Sequence, residues 1–201
     1  SNFNLDTNDK QRLDATLMTG VKTIGLSSSS AEGDLTVSGI KNLVDAEMRN
    51  GTGDLALNYA AAVVAGTADA QNLTVSASTG ATFTANGVET INVTGELVKS
   101  TFADITGDKV KTITFAGDQN LSVTAPLTEK TLNASALTGN LAIEMGANAA
   151  HVVTGGSGDD TISSGTTLAS TDTVAGGDGT DTLRVSNAGT VNKGTAAAKG
   201  E

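Results

Sequence analysis

Two short stretches near the end of the chain join acid to glycine in the same order. "GGSGDDTIS" spans residues 155–163 and "GGDGTDTLR" spans residues 176–184. Both fit Gly-Gly-x-Gly-x-Asp-x-aliphatic-x. The residue types suit one chemistry, the binding of Ca²⁺. That ion takes roughly six to eight oxygen ligands at about 2.3–2.6 Å. Glycine reaches positive φ without steric cost, so such a backbone can turn its carbonyls toward an ion. Asp160 and Asp181 supply formal charge. Thr161-Ile162 and Thr182-Leu183 then lead back into strands whose aliphatic residue points inward. The candidate metal ligands are Gly155, Gly156, Gly158, Asp160, Gly176, Gly177, Gly179 and Asp181, with Asp159, Asp172 and Asp178 as secondary candidates.

The two motifs begin 21 residues apart. Stacked rungs of that length would set one loop above the other and let Asp160 and Asp181 share an ion. Between them, "SSGTTLASTDTVA" at 163–175 is a degenerate copy. Asp172 and Val174 keep its ending, the glycine pair is lost, and a second ion is expected there on the opposite edge. A plainer reading makes the stretches glycine-rich turns in which aspartates cap backbone amides. Two full copies at one spacing favour the metal. A phosphate-binding G-x-G-x-x-G loop does not fit, since no lysine follows and the acids would repel phosphate.

The elements that would position these loops repeat along the chain. One string recurs as "VKTIGL" (21–26), "IKNLV" (40–44), "VETINV" (88–93), "VKTITF" (110–115) and "EKTLNA" (129–134). A second recurs as "GDLTVS" (33–38), "GDLALN" (53–58), "QNLTVS" (71–76), "QNLSVT" (119–124) and "GNLAIE" (139–144). With Asp34, Asp54, Asn72, Asn120 and Asn140 as markers, the step is close to 20 residues, and "GELVKS" (95–100) fills the longest gap as a weak copy. Each string alternates apolar and polar residues and is rich in Thr, Val and Ile, which reads as a short strand. Two strands per step predict an all-β fold, a parallel β-helix or β-solenoid with rungs of about 20 residues. Rungs lie about 4.8 Å apart, so about ten of them make a rod on the order of 45 Å long. The pattern itself does not fix the handedness or the cross-section; right-handed winding is the default, from the usual crossover hand. "IKNLVDAEM" has helical apolar spacing, but its match to "LNASALTGNL" (132–141) assigns it to a rung corner with a helical turn. The expected organisation is a lead-in or cap over 1–19, the solenoid over 20–154, calcium rungs over 155–186 and a tail over 187–201.

Composition agrees. Aromatic residues are 2%, there is one proline, and 24 glycines accompany 38% hydrophobic residues. Disordered chains lack the aliphatics. A net charge of −10 argues against nucleic acid as a partner and suits divalent cations. There is no cysteine, which excludes disulfides and thiolate metal sites and leans toward export. No run reaches the roughly 18 apolar residues of a membrane span. The chain opens without Met or a signal peptide and reads as a fragment of something longer.

Residues 155–184 resemble the calcium-binding nonapeptide repeats of RTX proteins. The preceding rungs, with "GVETINVTG" at 87–95 and "NASALTGNLAI" at 133–143, resemble the solenoid of RTX-containing bacterial surface-layer (S-layer) proteins. The resemblance implies type I secretion, an extracellular location at the bacterial cell surface, folding driven by external calcium and self-association into a lattice. The alternative is a spacer or secretion module of an RTX adhesin or a type I-secreted hydrolase. No enzymatic activity is expected in this segment. His151 is the only histidine, Tyr59 the only tyrosine, and there is no tryptophan to serve as a sugar platform. His151 reads as a surface or edge residue. The Thr-x-Thr pairs at Thr82/Thr84 and Thr112/Thr114 are too few for an ice-binding face and read as strand-face threonines.

Overall fold

The structure, a computed structural model, describes residues 10–147, 150–165 and 168–186. Seventeen strands lie within them. The first eight are β1 (Gln11–Asp14), β2 (Thr23–Ser27), β3 (Leu35–Ile40), β4 (Asp45–Arg49), β5 (Leu55–Tyr59), β6 (Ala70–Ser76), β7 (Thr79–Asn86) and β8 (Thr90–Gly95). Then follow β9 (Ser100–Thr106), β10 (Thr112–Gly117), β11 (Leu121–Val123), β12 (Thr131–Leu137), β13 (Leu141–Glu144), β14 (Val152–Thr154), β15 (Thr161–Ser163), β16 (Thr173–Ala175) and β17 (Thr182–Arg184). Odd strands form one parallel sheet of nine and even strands a second of eight, each in sequence order. This is a β-solenoid of about eight turns with rungs of about 21 residues. Its height is about 38 Å at the usual strand spacing, shorter than the expected ten rungs.

Alternation builds the core. Inward residues of the two sheets meet in a single apolar layer, with Leu57, Phe83, Ile105, Val75, Ile91 and Phe115 almost wholly buried. Parallel register stacks like on like: Ile91, Ile113, Leu132, Val153 and Val174 form one column in the even sheet. Each rung covers the apolar face of the rung below, so the array is the folding unit.

Several expectations need correction. "QNLTVS" belongs to β6 in the even sheet, whereas the other members of its series lie in β3, β5, β11 and β13 of the odd sheet. The reason is an enlarged rung, in which Leu55 pairs with Phe83 across the ten residues that separate β5 from β6. That connection is anchored by buried Val64 and by a polar knot. In it the Tyr59 hydroxyl meets Gln71 Oε1, and Gln71 Nε2 donates to the Val44 carbonyl at 2.9 Å. "IKNLV" is no strand, since Ile40 ends β3 and Lys41–Val44 form a turn. "GELVKS" is the turn between β8 and β9. "IKNLVDAEM" holds no helical turn, because Asp45–Arg49 is strand β4. Strand β1 lies inside the segment expected to lead in, and the tail expectation for 187–201 falls outside the described residues.

Polar ladders run along the rod outside the core. On the even sheet, Asn72 Nδ2 donates to Asp45 Oδ1, Asn92 Nδ2 to Asn72 Oδ1 and Thr114 Oγ1 to Asn92 Oδ1, at 2.8–3.0 Å. At the leading edge of the odd sheet the ladder joins side chain to backbone. Asp34 Oδ1 accepts from Asp54 N, Asp54 Oδ1 from Thr82 N, Asn120 Oδ1 from Asn140 N, and Asn140 Oδ1 from Asp159 N.

Candidate functional site

The two glycine–aspartate loops connect β14 to β15 and β16 to β17. Thr161 pairs with Thr182, so the loops lie on one edge, one rung apart. The register explains what the aspartates replace. Leu121 pairs with Leu141, and Ala142 pairs with Thr161, so Asp160 follows Leu141 in the same column and Asp181 follows Asp160. Where earlier rungs place a core leucine, these rungs place a carboxylate. Asp160 is 1% exposed.

Its carboxylate is held by backbone amides from two rungs. Leu141 N donates to Oδ1 at 2.7 Å and Gly156 N to Oδ2 at 2.6 Å. Asp160 N in turn donates to Asp181 Oδ1 at 3.0 Å. Burial pushes the Asp160 carboxyl above its ordinary range, the Leu141 and Gly156 amides pull it back, and the Asp181 and Asp159 charges push it up again, with a net upward shift. A buried carboxylate beside two others is an electrostatic deficit that a cation relieves.

The glycines leave room for oxygen. A Cβ on Gly155 would collide with the Gly176 carbonyl oxygen and Asp160 Oδ2, and one on Gly176 with Asp181 Oδ2. Gly177 and Gly179 have φ of 103° and 107°, and a Cβ on either would meet the carbonyl of Gly156 or Gly158 one rung below. At these glycines the space that a Cβ would fill is taken by carbonyl and carboxylate oxygens, the donor types that suit a hard dication. Each carboxylate oxygen of Asp160 accepts one amide and keeps a second lone pair.

The secondary candidates divide. Asp159 continues the odd-sheet ladder, its Oδ1 accepting from Thr180 N at 2.8 Å. Asp178 is exposed on the upper loop, where its N–H donates to the Gly156 carbonyl at 3.0 Å. Asp172 lies on the opposite edge, apart from these carboxylates, with its side chain fully buried against His151. His151 itself is 0% exposed, not a surface residue. Among the described residues no group of three or more His, Cys, Asp or Glu side chains is placed to hold a metal, so carbonyls must supply much of any coordination shell.

Sequence reasoning missed Glu129. It is 6% exposed, its Oε2 has no hydrogen-bond partner, and burial followed by the charge of Asp104 raises its pKa. The only local signal is its place two residues ahead of an even strand, where Val88 and Val110 stand on lower rungs. An open groove of about 400 Å³ beside Lys22, Asn42, Asp45 and Asn72 lies near the other end of the rod and gathers no such set of carboxylates. Among the described residues no helix is long and apolar enough to cross a membrane. Comparisons with protein-family models, with curated proteins and with solved structures each found no match.

Proposed function

We propose that this chain is a calcium-stabilised β-solenoid segment of a secreted bacterial surface protein of the RTX type, one that self-associates into an S-layer lattice. The observation that carries the calcium reading is the buried Asp160 carboxylate, which takes a leucine's place in its column and lies close to carbonyl oxygens at the glycine positions. Asp160 and Asp181, with carbonyls of the Gly155–Gly158 and Gly176–Gly179 turns, would hold the ion. Bound Ca²⁺ supplies charge compensation and ties the last rungs together. Without it, Asp159, Asp160, Asp178 and Asp181 repel one another around glycines that lose much chain entropy on ordering. Extracellular calcium modules bind at about 10⁻⁴–10⁻³ M, so the segment would order outside a cell and stay loose inside. Saturation at 100 times Kd adds about 2.7 kcal/mol per site.

The test is a thermal melt with a calcium titration, against EGTA and magnesium. A saturable rise in Tm with calcium alone supports the site, and no rise sinks it. Electron microscopy of calcium-loaded protein addresses the lattice. Ordered sheets support it, whereas monomers at every calcium concentration favour a spacer or secretion module.

A further inference from the structure

The dipeptide Asn-Gly occurs twice in the chain, as Asn50-Gly51 and as Asn86-Gly87. Both pairs sit at rung corners, the first just past β4 and the second at the end of β7. This dipeptide carries a reaction of its own. The backbone nitrogen that follows an asparagine can attack the side-chain carboxamide, and a glycine there has no Cβ to stand in the way. The two corners differ in whether the reacting groups are free.

At Asn86 they are occupied. Asn86 Nδ2 donates to Asn58 Oδ1 at 2.9 Å, and Asn86 Oδ1 accepts from Asp108 N at 3.2 Å. The Gly87 N–H, which would be the nucleophile, donates to Asp108 Oδ1 at 2.6 Å, and Gly87 is buried. At Asn50 they are open. Asn50 is exposed and has a φ of 52°, in the left-handed region that asparagine tolerates better than most residues. Its N–H donates to the Ser76 carbonyl and the Gly51 carbonyl accepts from Thr79 N, both at 2.9 Å. Among the described residues, neither the Asn50 carboxamide nor the Gly51 N–H has a hydrogen-bond partner. The fold itself calls for this pair. A Cβ on Gly51 would collide with Ser29 of the preceding rung, so the corner needs glycine where the reaction also needs it.

We propose that Asn50 is a site of spontaneous covalent modification, at which the side-chain amide is lost and the link to Gly51 becomes a mixture of aspartyl and isoaspartyl forms. The Gly51 nitrogen gives its proton to a solvent base and attacks Asn50 Cγ. A Cγ–N bond forms, the Cγ–Nδ2 bond breaks, and Nδ2 leaves as ammonia. Water then opens the cyclic imide at either carbonyl and leaves one new carboxylate. Opening at the main-chain carbonyl routes the backbone through Cγ and lengthens the corner by a methylene. That corner is clamped by Thr79 N to the Gly51 carbonyl and by Thr52 N to the Ser29 carbonyl at 3.1 Å, so the isoaspartyl form strains two neighbouring rungs. None of this depends on the calcium reading.

The test holds the full chain, with calcium saturating, at mildly alkaline pH and follows the amide-to-acid mass gain in chymotryptic fragments, which part Asn50 from Asn86 at Tyr59 and Phe83. Asn50 should convert about tenfold faster or more than Asn86, whose pair must first break its three hydrogen bonds. In guanidinium, with both corners unfolded, the two should convert at similar rates. Asn50→Gln should abolish the fast conversion, since the longer side chain cannot close the same ring. The product should include an isoaspartyl fragment that elutes apart from the aspartyl one of equal mass. Survival of Asn50 in the native chain, with conversion only in guanidinium, overturns the proposal. Equal native rates at Asn50 and Asn86 overturn it too, and a purely aspartyl product overturns the imide route.

Discussion

The backbone N–H of Asp160 donates to Asp181 Oδ1 at 3.0 Å across a single rung. The upper aspartate thus caps the lower one, while the lower carboxylate is already committed to Leu141 and Gly156. The two residues occupy matching motif positions yet differ in what they hold.

That difference separates structural from metal-binding roles. In EGTA, Asp160→Ala should cost about 1–3 kcal/mol, since it strands two amides. Asp181→Ala should cost about 1 kcal/mol or less, since it frees one part-buried amide. Both should lose the stabilisation that calcium adds. Urea melts with and without calcium read the two effects apart. An intact calcium increment in the double variant would defeat the shared-ion assignment.

Glycine substitutions test the close approach of oxygens at the glycine loops. Gly155→Ala drives a methyl into the Gly176 carbonyl and the Asp160 carboxylate, so it should destabilise the last rungs by about 2 kcal/mol or more. Gly80→Ala is the control. Its φ is 69° with no atom within 4 Å of the added Cβ, so only backbone strain remains, about 1 kcal/mol. Equal Tm losses in the two variants would show that close approach is not what the Gly155 position requires.

Glu129 predicts a pH signature. Its folded pKa lies above the ordinary glutamate value, because the carboxyl is buried. The folded state therefore holds that proton more tightly than the unfolded state, and its contribution to stability is lost as pH rises through the folded value. Glu129→Gln removes the buried charge. Its Tm should exceed that of the native chain at neutral pH by about 2–4 °C for each kcal/mol relieved, and the advantage should shrink toward pH 4. Melts in EGTA from pH 4 to 7 measure it. A difference that does not change with pH would contradict the assignment.

Hydrogen exchange should divide the rod. In EGTA, amides of β5 to β10, which cover the most fully buried core, should stay protected. Those of β15 and β17, which bracket Asp160 and Asp181, should exchange early. Calcium should slow the second set only. Uniform exchange along the whole solenoid, with or without the ion, would rule out a locally metal-dependent end.

Much of this architecture could be read from residue order. The alternation in "GDLTVS", "GDLALN" and "GNLAIE" gave the odd strands, and "VETINV" and "VKTITF" the even ones. Asn72 misled because both strands of a rung share one alternation. The triplet Gln-Asn-Leu therefore looks the same in β6 as it does at the start of β11. Only the enlarged rung at 60–69, held by Tyr59 and Gln71, assigns it to a sheet. The core position of Asp160 was available in the alignment of "GNLAIE" with "GDDTIS", which sets Asp160 under Leu141. The burial of His151 was not, since it depends on a turn 21 residues later that brings Asp172 over it.

The parallel ladders also set how the molecule bears load. Every inter-strand hydrogen bond runs along the rod, so tension between its ends pulls on one rung at a time rather than shearing a whole sheet. Each detached rung of about 21 residues releases about 65–70 Å of slack chain. The rod would yield in steps, like a stitched strap, with a longer one at the enlarged rung, and an ion seated between the last two loops would set the force at that end.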